Sequence, residues 1–265
     1  MRHLKVITGF RLAWLLALLL SCSLRAQQES TQPNQQRARS LLNQMIVALG
    51  GQAYLDLQDS ESEGRSGRFY QGKSESSTVF HRFWQWPDKE RVEFPKQRDV
   101  VRLTLGGEIY EITFRGSMRI DTKKDREAQV YLERRRHSLE IVLRQWLAEA
   151  GTALFDEGPA VAENHIVERV TIINAQNDAV SLGIDTETHL PVKKTFMIRD
   201  PQGYRDEIGE VYDNWKTIQG ISTPFNTLVT RNGELHQQYY LSTISYNNHL
   251  QDSLFSSSGP LFPKP

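Results

Sequence analysis

From residue 38 onward the apolar positions follow two rhythms, and each change of rhythm marks an element. Ala38, Leu41, Leu42, Met45, Ile46 and Leu49 recur three and four apart, the spacing of a helix with one apolar face. Gly50-Gly51 ends it, because glycine takes the left-handed cap conformation at little cost. Tyr54, Leu55 and Leu57 then resume an apolar surface. Further along the period drops to two. Thr78, Phe80, Arg82, Trp84 and Trp86 alternate up to a turn at Pro87-Asp88, and residues 91–94 and 101–105 follow the same pattern. Gly106-Gly107 reverses the chain into residues 109–114. After a long interruption come residues 165–173, 180–184, 192–199, 207–215, 221–230 and 235–246, with Asn232-Gly233 as the strongest hairpin signal. Short turns between about ten such strands predict an antiparallel meander, not parallel βαβ units.

The interruption, residues 124–150, has no turn residues and places Val130, Leu139, Val142, Leu143, Trp146, Leu147 and Ala150 at helical spacing. Arg126, Glu133, Arg136, Glu140, Arg144 and Glu149 occupy the other face. One or two amphipathic helices ending at Gly151 are expected. The predicted class is α+β: a large curved antiparallel sheet, a half-open barrel, covered by an N-terminal helix and a mid-chain helical insertion. Twist curls so wide a sheet, and helices can cover its open face. The sequence leaves open whether such a sheet encloses a packed core or a cavity.

The first 26 residues change the picture of where this domain works. Arg2, Lys5 and Arg11 precede an apolar run of nine residues, Leu12 to Leu20, and a short polar stretch ends at Ala26. A basic start, a short apolar core and a small residue before the cut predict a secretory signal, whereas a spanning helix needs roughly 20 apolar residues. A cut after Ala26 yields a periplasmic protein starting at Gln27. A cut before Cys22, within Leu19-Leu20-Ser21-Cys22, would instead make that residue an acylated membrane anchor. Cys22 is the only cysteine of the 265 residues, so the first product has no disulfide, thiol chemistry or cysteine metal site. The expected organisation is signal 1–26, flexible leader 27–37, one domain over 38–252 and a Ser- and Pro-rich flexible tail 253–265.

The 32 basic and 32 acidic residues balance, and loss of the signal removes four basic residues and no acidic ones. No basic stripe of the kind a nucleic-acid protein needs is present, and Arg134-Arg135-Arg136 reads as a solvated helix face. The seven histidines form no HExxH or HxH pair, and there is no GxSxG elbow and no phosphate-cradling Gly-rich loop. No catalytic residue, cofactor or metal site is predicted. Asp121, Asp125, Asp185 and Glu187 flank strands and read as turn residues. The aromatic residues carry more: in the stretch Phe80 to Trp86 they occupy both parities, so both faces of that strand are expected to be covered.

Several local patterns resemble the LolA-like superfamily of periplasmic lipoprotein carriers and their secreted relatives. Ala48 to Gly51 with Tyr54-Leu55 is similar to the family's first helix and its exit, and Trp86-Pro87-Asp88-Lys89-Glu90-Arg91 to a strand entry of the form Pro-x-Lys-x-Arg. Leu182 to Asp185 through Leu190-Pro191-Val192 resembles paired strands around an Asp-x-x-Thr-x-Leu-Pro turn. Tyr212 to Trp215 with Gly220 to Phe225 resembles the last stretch, and Asn247 to Phe255 its close. The order holds over roughly residues 38–256.

The resemblance implies a half-open barrel with a helical lid over an apolar groove. It also implies a diffusible, non-enzymatic periplasmic carrier whose partner is a lipid or an acylated lipoprotein, with an outer-membrane acceptor or another envelope protein as a further partner. Groove or lid candidates are Phe80, Trp84, Val92, Phe94, Leu103, Tyr110, Ile112, Leu143 and Trp146, each of which could equally be core. The alternative is a sensor or interaction module of the same fold with a filled interior.

Overall fold

A computed structural model describes residues 32–94, 100–199 and 204–258. The signal, its two cut sites and Cys22 lie outside the described residues. The chain begins with helix α1, residues 32–49, and a short α2, Gln52–Leu55. Six strands follow: β1 Asp59–Tyr70, β2 Lys73–Gln85, β3 Lys89–Phe94, β4 Val100–Leu105, β5 Glu108–Thr113 and β6 Gly116–Arg119. Helices α3, Arg126–Arg136, and α4, Leu139–Arg144, come next, with a single 3-10 turn at Trp146–Ala148. Seven more strands complete the sheet: β7 Ala153–Ala162, β8 His165–Ile173, β9 Ala179–Asp185, β10 Pro191–Arg199, β11 Arg205–Ile218, β12 Ile221–Arg231 and β13 Glu234–Tyr246.

All thirteen strands form one antiparallel sheet in the order β6-β5-β4-β3-β2-β1-β13-β12-β11-β10-β9-β8-β7. The sheet is thus two meanders running outward from a central seam, where β1 pairs with β13, Ser60 opposite Tyr246. The free edges are β6 and β7, so the sheet does not close, and the α3–α4 segment is the connection between those two edges. The α+β half-barrel with helical cover is what the pattern predicts. At the β12–β13 hairpin Asn232 and Gly233 have φ of 53° and 82°, the two positive values that a two-residue type I′ turn requires.

The main core lies on the helical side. Ala38, Leu42, Met45 and Leu49 of α1, at most 1% exposed, pack with Val142 and Leu143 of α4 against Val170, Ile172, Val180, Leu182 and Ile184. Burying a large aliphatic side chain stabilises by ~1.5–3 kcal/mol, so this cluster holds helices and sheet together. A second cluster sits on the opposite face, where Phe83, Val101, Leu103 and Ile112 meet Phe255. The two parities of β2 therefore do face two covered surfaces.

Two expected boundaries move. Residues 32–37 are helical and not a flexible leader. Asn34 exchanges two hydrogen bonds with the Asp156 backbone, and Arg37 pairs with Asp156 and Glu168. At the other end, Asp252–Phe255 form a 3-10 turn with Phe255 buried. The attached chain therefore extends past residue 252, because one aromatic anchor and the Lys89–Asp252 pair hold what the Ser-rich composition suggests is free.

Candidate functional site

Between the α3–α4 segment and the centre of the sheet lies a hollow of about 270 Å³. A smaller hollow of about 80 Å³ adjoins it, the two sharing a wall of Arg82, Tyr131, Arg134 and Tyr239. The floor is β1. Its inward positions, Ser60, Ser62, Gly64 and Ser66, are all buried and all small, and above the three serines lies the open space of the hollows. At Gly64 no side chain fits: a Cβ would come within 2.1 Å of the Tyr240 carbonyl oxygen and 2.8 Å of Phe80 Cζ.

Asp125 caps α3 by accepting from the Ala128 N–H at 2.9 Å, and Ser138 caps α4 by accepting from Ile141 at 3.3 Å. Each satisfies a backbone donor that a helix start leaves open. The roof is pinned to the sheet by charges. Arg126 pairs with Asp206, Arg135 with Glu90 at 3.1 Å, and Arg144 donates to the Leu57 carbonyl at 2.8 Å while lying 3.5 Å from the centre of a Trp86 ring.

One end of the larger hollow carries most of its apolar lining, Leu49, Leu57, Trp84, Leu139, Ile221 and Ile244, with the Glu140 carboxylate near Tyr54 and Tyr246. The other end is ionic and centred on Glu210. Its carboxylate accepts from Lys194 Nζ at 2.8 Å, Arg134 Nε at 2.8 Å and the Tyr212 hydroxyl at 2.9 Å. Burial pushes the Glu210 carboxyl up, but the charges and hydrogen bonds of Lys194 and Arg134 outweigh it and hold it below its ordinary value. Lys194 also donates to the His137 carbonyl at 2.6 Å, tying β10 to the junction of α3 and α4. At the apolar end the buried Tyr54 hydroxyl has no hydrogen-bond partner, and burial raises its pKa well above the ordinary value.

The sequence candidates separate by position. Trp84 lines the larger hollow, and Phe80, Val92 and Phe94 line the smaller. Leu143 and Trp146 are packed in the main core, with Trp146 edge-on to the His137 ring at 5.4 Å. Leu103, Tyr110 and Ile112 belong to the cluster on the other face of the sheet and reach neither hollow. Of the Arg134–Arg136 run, only Arg136 matches the expected solvated face, at 65% side-chain exposure. Arg134 and Arg135 turn inward, at 16% and 22%. The signal for Arg134 was its spacing of four from Val130 on the apolar stripe, and that for the floor was the alternation of small residues in β1.

Asp185 is a buried turn residue that accepts from Thr188 and from His165, and Asp125 is a cap. Among the described residues no group of three or more His, Cys, Asp or Glu stands close enough to hold a metal, and no helix is long and apolar enough to cross a membrane.

No family model matches the chain, and no curated protein matches it. Solved structures do. A DUF1329 family protein from Desulfovibrio piger aligns with a TM-score of 0.58 at 14% identity, covering 83% of this chain and 97% of that one. A domain from Vibrio parahaemolyticus named for outer membrane lipoprotein sorting aligns at 0.57 and 13%, covering 82% and 97%. A LolA superfamily protein from Nitrosomonas europaea aligns at 0.55 and 10%, covering 83% and 97%. The chain thus has the LolA-like fold.

Proposed function

We propose that the protein is a non-enzymatic periplasmic carrier that holds a lipid or the acyl chain of a lipoprotein between sheet and helical roof. One observation carries this reading: a hollow with a mainly apolar end and an ionic end, floored by serines where a core strand would place larger side chains. The lipoprotein-sorting name of the Vibrio relative points the same way. Export by the N-terminal signal and hand-over to an outer-membrane acceptor or other envelope protein belong to the same proposal.

The magnitudes fit a carrier. Fully burying a 16-carbon chain would gain ~13 kcal/mol at ~0.8 kcal/mol per methylene, too much for a cargo that must leave. A hollow of about 270 Å³ lies just below the ≈ 300–1,000 Å³ of typical ligand sites. It would take part of such a chain and leave the rest to be covered or released as the roof moves.

The test is to express the precursor for export, purify the product and weigh it under native and then denaturing conditions. A bound mass of lipid size that is lost on denaturation is expected, on a chain beginning at Gln27. A ligand-free protein that also takes up no added acyl chain would refute the carrier reading in favour of an interaction module with the same fold.

A further inference from the structure

The smaller hollow is lined by donors without a hydrogen bond. Arg102 Nε and the Tyr131 hydroxyl are buried with no partner, and Arg82 Nε, also buried, makes no hydrogen bond and has only the Glu90 carboxylate at 3.4 Å. Rings hold the guanidinium groups in place. Arg82 lies 5.2 Å from the centre of the Phe80 ring and 5.5 Å from that of Tyr239. Arg134 lies 5.5 Å from the same Tyr239 ring, and Arg102 lies 6.0 Å from that of Tyr131. Stacking of this kind fixes a guanidinium while leaving its N–H edge available.

Glu210 is taken by Lys194 and Arg134. One oxygen of Glu90 pairs with Arg135 at 3.1 Å and with Arg82 at 3.4 Å, while its other oxygen is buried without a hydrogen-bond partner. Across the two hollows the cations Arg68, Arg82, Arg102, Arg134, Arg135 and Lys194 face the acids Glu90, Glu127, Glu140 and Glu210, an excess of two positive charges. Unmade buried donors beside excess positive charge are satisfied together by a group that only accepts and is negative. Such a group at this wall has the apolar end of the larger hollow on its far side, where a chain can follow it.

We propose that the groove selects amphiphiles with an acidic headgroup, phosphate or carboxylate, held at the Arg82–Arg102–Tyr131 wall, over neutral amphiphiles carrying the same chain. This deepens the carrier reading and rests on it. The excess charge fixes the sign of the head, and the adjoining apolar end distinguishes an amphiphile from a free anion.

The experiment titrates the purified full-length mature protein with palmitate, palmitoyl lysophosphatidic acid, monopalmitoylglycerol and inorganic phosphate, following calorimetry and tryptophan fluorescence. The two acidic amphiphiles are expected to bind about ten-fold tighter than the neutral one, the scale of one charge-assisted hydrogen bond. Arg82→Gln with Arg102→Gln should reduce that preference, read as the ratio of acidic to neutral amphiphile affinity in the same variant, to less than roughly three-fold. Arg102→Gln alone, the less crowded change, gives the same reading if the double variant does not fold. Equal affinity of wild type for all three amphiphiles overturns headgroup selection and leaves the carrier reading standing. Inorganic phosphate binding as tightly as lysophosphatidic acid overturns the amphiphile in favour of a free-anion site. Uptake of none of them overturns the carrier reading itself.

Discussion

Residues too small to attract attention govern this molecule. Gly64 pairs with Leu241 at a register shift in the seam and lies under the Phe80 ring. A methyl group there meets backbone, which cannot step aside. Gly64→Ala is therefore expected to destabilise by about 3 kcal/mol, at the upper end of ordinary overpacking costs, as measured by urea unfolding. Ser62 is the opposite case, since its side chain borders open space. Ser62→Leu should leave a folded protein whose midpoint in urea changes little, while affinity for any chain-bearing ligand falls about ten-fold or more because the hollow is occupied. Loss of folding, or unchanged affinity, would remove the larger hollow from consideration as the binding site.

His137 tests the junction of the two roof helices by pH. Its ring stacks on Phe196 at 4.3 Å and its Nδ1 donates to the Glu133 carbonyl. Burial lowers its pKa, the Glu133 hydrogen bond opposes that, and Lys194 and Arg136 add to the lowering against Asp178. The folded state thus favours the neutral ring. Its contribution to stability is complete above the unfolded value of ~6.5 and is lost as pH falls below that toward the lower folded value. Melting temperature should decline between about pH 7 and pH 5, and His137→Phe, which keeps the stack, should flatten that decline. An identical slope in both proteins would assign the acid sensitivity elsewhere.

Among the elements, those announced by apolar rhythm were legible and those built on small or isolated residues were not. The residues of α1 and of β8 to β13 carry large apolar groups at the right period, and they form the main core. Strand β1 shows no apolar rhythm, only an alternation of small residues, because its buried positions are serine and glycine; β6 has no buried residue at all. Strand β7, an edge, keeps only Leu154 fully inside. The closing 3-10 turn has a single buried side chain in a Ser-rich stretch. That side chain seals the second core, and the Leu254 carbonyl beside it accepts from the fully buried Arg91 at 3.3 Å. Phe255→Ala is expected to cost about 3 kcal/mol, the lower end for a buried phenylalanine, seen as a lower midpoint in chemical unfolding. A change under about 0.5 kcal/mol, the range of surface substitutions, would return the turn to the status of a loose end.

On the scale of the whole molecule, the sheet class, the helical cover and the resemblance to the LolA-like superfamily were all readable, because they depend on periodicity and turn order along the chain. The lining of the hollows was readable only in part. Trp84, Phe80, Val92 and Phe94, which border them, carry an aromatic or apolar parity in the sequence. Arg82, Arg102 and Glu210 gave no such signal, since a charged residue inside a sheet looks the same in sequence as one on its surface. Which face each strand presents depends on strand order, and the order here is set by a seam between residues far apart.

That seam has a kinetic consequence. Each meander is made of neighbours in sequence, but β1 and β13 meet only when Ser60 finds Tyr246, with the rest of the domain as the intervening loop. Closing so long a loop adds entropy slowly with length but delays the event, and contacts of this range form late. The floor of the hollow is the strand on one side of that closure. The chamber is therefore absent from partly folded chains, and a ligand that needs it acts on the completed fold alone, stabilising it by mass action. On the proposed carrier reading, ligand binding would then report that folding has finished.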